Sequence, residues 1–80
     1  MTMILSDTCF LCILPSGNSA VYAVQPQHLN DRPGTTLRSR AIEYGQQLAV
    51  CLDGRWFKPG AKEEITDLRT IALLERCPEA

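Results

Sequence analysis

Little in this sequence announces chemistry. It has one histidine, His28, no glycine-rich phosphate loop, no H-E-x-x-H and no nucleophile elbow. Serine, histidine and aspartate occur at spacings that point to no catalytic set, and the expectation is a protein that is not an enzyme. An excess of one charge is also missing: eight lysines and arginines stand against nine aspartates and glutamates, for a net charge of −1. No acidic or basic tail concentrates them, which removes the strong electrostatic case for nucleic acid or a membrane surface. No apolar run approaches the roughly 20 residues of a membrane span. The first residues carry no basic region, and Asp7 precedes a run too short for a secretory signal. The expected compartment is the cytoplasm, in which the four cysteines stay reduced.

What is present is a block of apolar sequence. Cys9-Phe10-Leu11-Cys12-Ile13-Leu14 is closed by Pro15-Ser16-Gly17-Asn18 and answered by Ala20-Val21-Tyr22-Ala23-Val24. A short continuous apolar run between turn residues suits a strand buried on both faces, and the pair reads as a β-hairpin. A four-residue loop would set Leu14 opposite Ser19, Cys12 opposite Val21 and Phe10 opposite Ala23. Phe10, Cys12, Leu14, Val21 and Ala23 would then share one face. Neither face is polar, so each needs a cover, one from the chain's own helices and the other from a second layer or a partner. Met3-Ile4-Leu5 either extends this strand or adds an edge piece.

Cys9 and Cys12 form a C-x-x-C. A zinc site would draw further ligands from His28, Cys51 and Cys77, which occur singly, and a lone C-x-x-C is a weak signal. In a regular strand Cys9 and Cys12 point to opposite faces and share no ion. The preferred reading is buried reduced thiols acting as small hydrophobes, with no cofactor.

Residues 25–34 are polar and rich in turn formers, and His28 there reads as a solvated loop side chain. Thr35 and Thr36 are N-caps for a helix running to about Gln47. Its apolar line is Leu37, Ala41, Tyr44 and Leu48, while Arg38, Arg40, Glu43 and Gln47 lie toward solvent. Gly45 weakens this helix and allows close packing on a sheet. Asp53-Gly54 between Ala49-Val50-Cys51-Leu52 and Arg55-Trp56-Phe57-Lys58 is the clearest local signal, a two-residue hairpin turn. It sets Leu52 opposite Arg55, Cys51 opposite Trp56 and Val50 opposite Phe57. Residues 62–77 read as a second helix, with Glu63, Glu64 and Asp67 at its positive end. Its apolar line is Ile65, Leu68 and Ala72, extended by Glu75 and flanked by Ile71 and Leu74; a strand over residues 70–74 is the alternative. The whole is a single α+β domain over residues 1–80, ordered ββαββα, with both helices on one face of an antiparallel sheet.

Aromatic residues make up only 6% of the chain, so the adjacent pair Trp56 and Phe57 stands out. They must point opposite ways, and with helices on one side only one is fully buried. The other is the expected anchor for a partner, beside Arg55, with Tyr22 and Arg38 completing the candidate set, because Trp, Tyr and Arg dominate protein interfaces. The expectation is a protein-binding module that self-associates, compatible by analogy with the small regulatory or inhibitory accessory proteins that mobile elements encode. The alternatives are a nucleic-acid surface built from Arg32, Arg38, Arg40, Arg55, Lys58 and the two aromatics, or a zinc domain through Cys9, Cys12, His28 and Cys51.

Overall fold

The elements follow the local turn and cap chemistry. In the computed structural model, which describes residues 7–80, the order is β1 (Cys9–Ile13), β2 (Ser19–Ala23), α1 (Leu37–Tyr44), β3 (Gln46–Leu52), β4 (Arg55–Phe57) and α2 (Leu68–Glu75). A 3-10 turn at Pro26–His28 lies between β2 and α1. This is the α+β arrangement of two hairpins and two helices that the sequence implies. The question of a strand at residues 3–5 lies outside the described residues.

The strands form one antiparallel sheet in the order β1-β2-β3-β4. Asp53 and Gly54 both take positive φ, 52° and 78°, the geometry of a two-residue turn matched to strand twist. The β3–β4 register is as expected: Val50 faces Phe57, Cys51 faces Trp56 and Leu52 faces Arg55. The first hairpin differs by one residue. Cys9 faces Ala23, Phe10 faces Tyr22 and Cys12 faces Ala20. Its connection spans residues 14–18, closed by Leu14 N donating to Asn18 O (2.7 Å) and Gly17 N donating to Leu14 O (2.8 Å). Both strands are apolar on both faces, so the hydrophobic pattern does not penalise the slip. The slip turns β2 over relative to β1. β3 begins earlier than expected and carries a bulge: Val21 faces Ala49 but Tyr22 faces Gln47, leaving Leu48 as the extra residue.

The helices do not share a face. Ala41 of α1 packs with Cys12, Ala20, Tyr22, Val24 and Val50. Leu74 of α2 packs with Cys9, Val21, Ala49, Trp56, Ile65 and Cys77. The sheet is therefore covered on both sides by its own chain, which answers the two-faced apolarity of β1 without a second molecule.

Thr36 caps α1 through a reciprocal box with Ser39. The helix stops at Gly45 rather than running to Gln47, because residues 46 and 47 join β3. Arg40 does not face solvent. It is 3% exposed, and its guanidinium donates to the carbonyls of His28 (2.6 Å), Asn30 and Thr36 (3.2 Å). It thereby ties the polar loop to α1. α2 begins at Leu68 rather than near residue 62. Ile65 N donates to Trp56 O (2.8 Å) and Lys58 N donates to Glu63 O (2.8 Å), which holds residues 63–65 extended beside β4. The inward residues of α2 are Thr70, Ile71 and Leu74, and Leu68 is 79% exposed, so the apolar line expected through Leu68 and Ala72 lies outward.

Each edge of the sheet is closed by a bridge. Phe57 pairs with Glu64 outside β4, and Leu11 pairs with Glu79 outside β1. α2 therefore crosses the sheet from one edge to the other. No helix among the described residues is long and apolar enough to cross a membrane.

Candidate partner-binding surface

The register defines a row across the α1 side of the sheet: Cys12, Ala20, Val50 and Phe57. α1 lies over β1 and β2. The β3–β4 half of this face keeps Leu52 and Phe57 only half-buried, with Phe10 and Leu14 half-buried at the β1 side. Arg55 is exposed on the same face, its guanidinium carbon 5.8 Å from the centre of the Phe57 ring. Its Nη2 and Nε donate to the two carboxylate oxygens of Glu64 at 2.6 and 3.2 Å. That fork lowers the pKa of Glu64 and raises that of Arg55, the side-chain hydrogen bond being the largest cause for each. In water such a pair orients the arginine more than it stabilises the fold. Arg38 is exposed on α1 and donates to Ile13 O at the end of β1.

Of the expected partner-binding residues, Arg55, Phe57 and Arg38 come to one face. Trp56 points the other way and is 6% exposed, inside the α2-side core. Tyr22 is buried beneath α1, and its hydroxyl accepts from Gln47 Nε2 at 3.2 Å. Both are taken up by the chain's own packing. The alternation around Asp53-Gly54 already places Leu52, Phe57 and Arg55 together. That Phe10, Leu14 and Arg38 share their face depends on strand order, which no local signal carries.

The cysteines divide between the two faces. Cys9 and Cys12 lie in opposite cores, and Cys51 sits on the Trp56 face. His28 is half-buried rather than solvated: its ring stacks on Tyr44 at 4.6 Å and 4°, and its Nδ1 is buried without a hydrogen-bond partner. Among the described residues, no three His, Cys, Asp or Glu side chains gather as a metal site. Burial raises the pKa of Cys12, with Arg38 opposing it. Burial, and then the neighbouring Cys9, raise that of Cys77. These thiols are protonated at neutral pH, and a protonated thiol is a poor ligand and nucleophile.

The basic residues considered for nucleic acid do not form a strip. Arg40 is internal, and Arg55 and Lys58 pair with Glu64 and Glu63 at 2.6 and 3.0 Å. A cleft of about 520 Å³ on the α2 side runs between Leu48, residues 58–59, residues 63–67 and Thr70. Its ionic side chains are already engaged: Glu63 with Lys58, Glu64 with Arg55, and Asp67 with Thr70. Comparison with protein-family models, with curated proteins and with solved structures finds no match to this chain.

Proposed function

We propose that the protein is a non-enzymatic binding module, a regulatory or inhibitory accessory that works by contact with protein, a second copy of itself first. The supporting observation is the half-buried pair of Leu52 and Phe57, with Arg55 against the ring, on the half of the sheet that α1 leaves open; Arg38 lies across the same side, on α1 at the end of β1. An aromatic ring with an arginine laid over it is the kind of group that anchors interfaces. An apolar strip against its own copy is self-complementary, as a two-fold pair requires. Both sheet edges are occupied by bridges, so association proceeds through this face and not by strand addition.

The test is sedimentation equilibrium at micromolar concentration, with circular dichroism as the check on folding. The wild type is expected to dimerise. Phe57→Ala is expected to weaken the dimer at least about tenfold while keeping the fold, since truncating a central aromatic anchor costs about 2 kcal/mol or more of binding. Trp56→Ala, by contrast, empties the core and costs about 3–5 kcal/mol of stability. A wild type that stays monomeric, or a Phe57→Ala variant that unfolds like Trp56→Ala, refutes the assignment.

A further inference from the structure

After α2 the chain runs alongside β1. Leu11 N donates to Pro78 O (2.7 Å) and Ala80 N donates to Leu11 O (3.1 Å), a parallel bridge between Leu11 and Glu79. Cys9 and Cys77 each stand two positions before the bridged residue of their segment; Cys77 still closes α2, its N donating to Leu74 O (3.3 Å) and its Sγ to Leu73 O (3.7 Å). Cys9 (3% exposed) and Cys77 (9% exposed) lie in the same buried cluster with Leu74. The two thiols are also close enough that Cys9 contributes to the raised pKa of Cys77. A disulfide spans a Cα separation of ~4.4–6.8 Å, and the bridge two residues further on holds the two segments side by side. The other two cysteines are elsewhere: Cys12 is on the opposite face, and Cys51 is on β3, with β2 between it and β1.

We propose that Cys9 and Cys77 are a disulfide-forming pair, a latch that clamps the C-terminal segment onto edge strand β1. The oxidant is a low-molecular-weight disulfide of the glutathione type. When residues 78–80 lift from β1, the Cys77 thiolate attacks that disulfide. Its S–S bond breaks, one small thiol leaves and a mixed disulfide remains on Cys77. The Cys9 thiolate then attacks the Cys77 sulfur and expels the second small thiol. Two protein thiols are oxidised to one disulfide, one small disulfide is reduced to two thiols, and the two protons released by the cysteines end on the leaving thiols. Burial of both sulfurs and the protonated state of Cys77 keep the closed form unreactive, so lifting of the segment gates the reaction.

The experiment incubates the full chain, under native conditions, with graded ratios of oxidised to reduced glutathione, then alkylates free thiols and maps peptides by mass spectrometry. The expected product is a Cys9–Cys77 crosslink, with Cys12 and Cys51 recovered as thiols. The oxidised chain is expected to melt about 10 °C or more above the reduced one, and Cys77→Ser is expected to lose that increment. The wild-type map stands alone if the variant does not fold. Glutathione retained on single cysteines, a crosslink involving Cys12 or Cys51, a crosslink formed only in denaturant, or a lowered Tm on oxidation overturns the proposal.

Discussion

Gly45 shows how much a single hydrogen atom can decide. Its φ of −76° is open to any residue, so conformational freedom is not what the site needs. A Cβ there would lie 2.4 Å from Ala41 O, 3.1 Å from Tyr22 Cβ and 3.2 Å from Ala23 O. The first contact is to backbone that already accepts the Gly45 N–H at 2.8 Å, so it has little room to yield. Helix propensity alone favours alanine over glycine by about 1 kcal/mol, whereas forced overpacking costs about 1–3 kcal/mol. Gly45→Ala is therefore expected to destabilise, lowering Tm by at least about 5 °C in a thermal melt; an unchanged or raised Tm would show that propensity wins. That Gly45 permits close approach to the sheet is legible in the sequence. That Arg40, directly after the capping-box serine Ser39, turns inward is not, because Arg40 follows the same polar pattern as Arg38. What distinguishes them is the set of carbonyls on the 28–36 loop that Arg40 alone reaches.

Helix α2 carries its own pH dependence. The Asp67 carboxylate accepts from Thr70 N at 3.1 Å and from Thr70 Oγ1 at 2.6 Å. Those bonds lower its pKa, the side-chain bond most. Glu64 is lowered likewise by Arg55. A carboxylate more acidic in the folded state adds stability above its unfolded pKa, about 4, and loses it as pH falls through the lower folded value. Melts from pH 7 to pH 2 are thus expected to hold level to about pH 5 and decline below about pH 4. Asp67→Asn keeps a capping oxygen and is expected to flatten part of that decline. Asp53-Gly54 is legible with its full register, because a two-residue turn specifies its own neighbours. The β1–β2 register is not, because strands apolar on both faces accept a one-residue slip without exposing anything. The start of α2 is obscured because Glu63, Glu64 and Ile65 suit a helix's first turn, yet hydrogen bonds to β4 hold them extended.

At the scale of the whole molecule, long-range pairing removes the surplus apolar surface that the sequence implies. The two helices divide the faces, residues 63–65 close the β4 edge, and residues 78–80 close the β1 edge. None of these placements has a local signature, so the sequence exposes the need for cover but not its source. Among the described residues the half-face around Phe57 stays part-exposed, as do Leu68, Tyr44, Ile42 and Ile13 singly, and an edge left bare would compete with that half-face as a site of association. Deleting residues 78–80 removes the bonds of Pro78 and Ala80 to Leu11 and leaves β1 with unpaired donors and acceptors, a template for strand addition. The truncated chain is expected to melt lower and to form larger, concentration-dependent assemblies in light scattering, whereas the intact chain is expected to go no further than the proposed pair. Phe57→Ala in the truncated background is expected to abolish the pair but not the larger assemblies, since those grow through the β1 edge and not the open face. Loss of both together would place all association on Phe57 and remove any protective role for the C-terminal bridge.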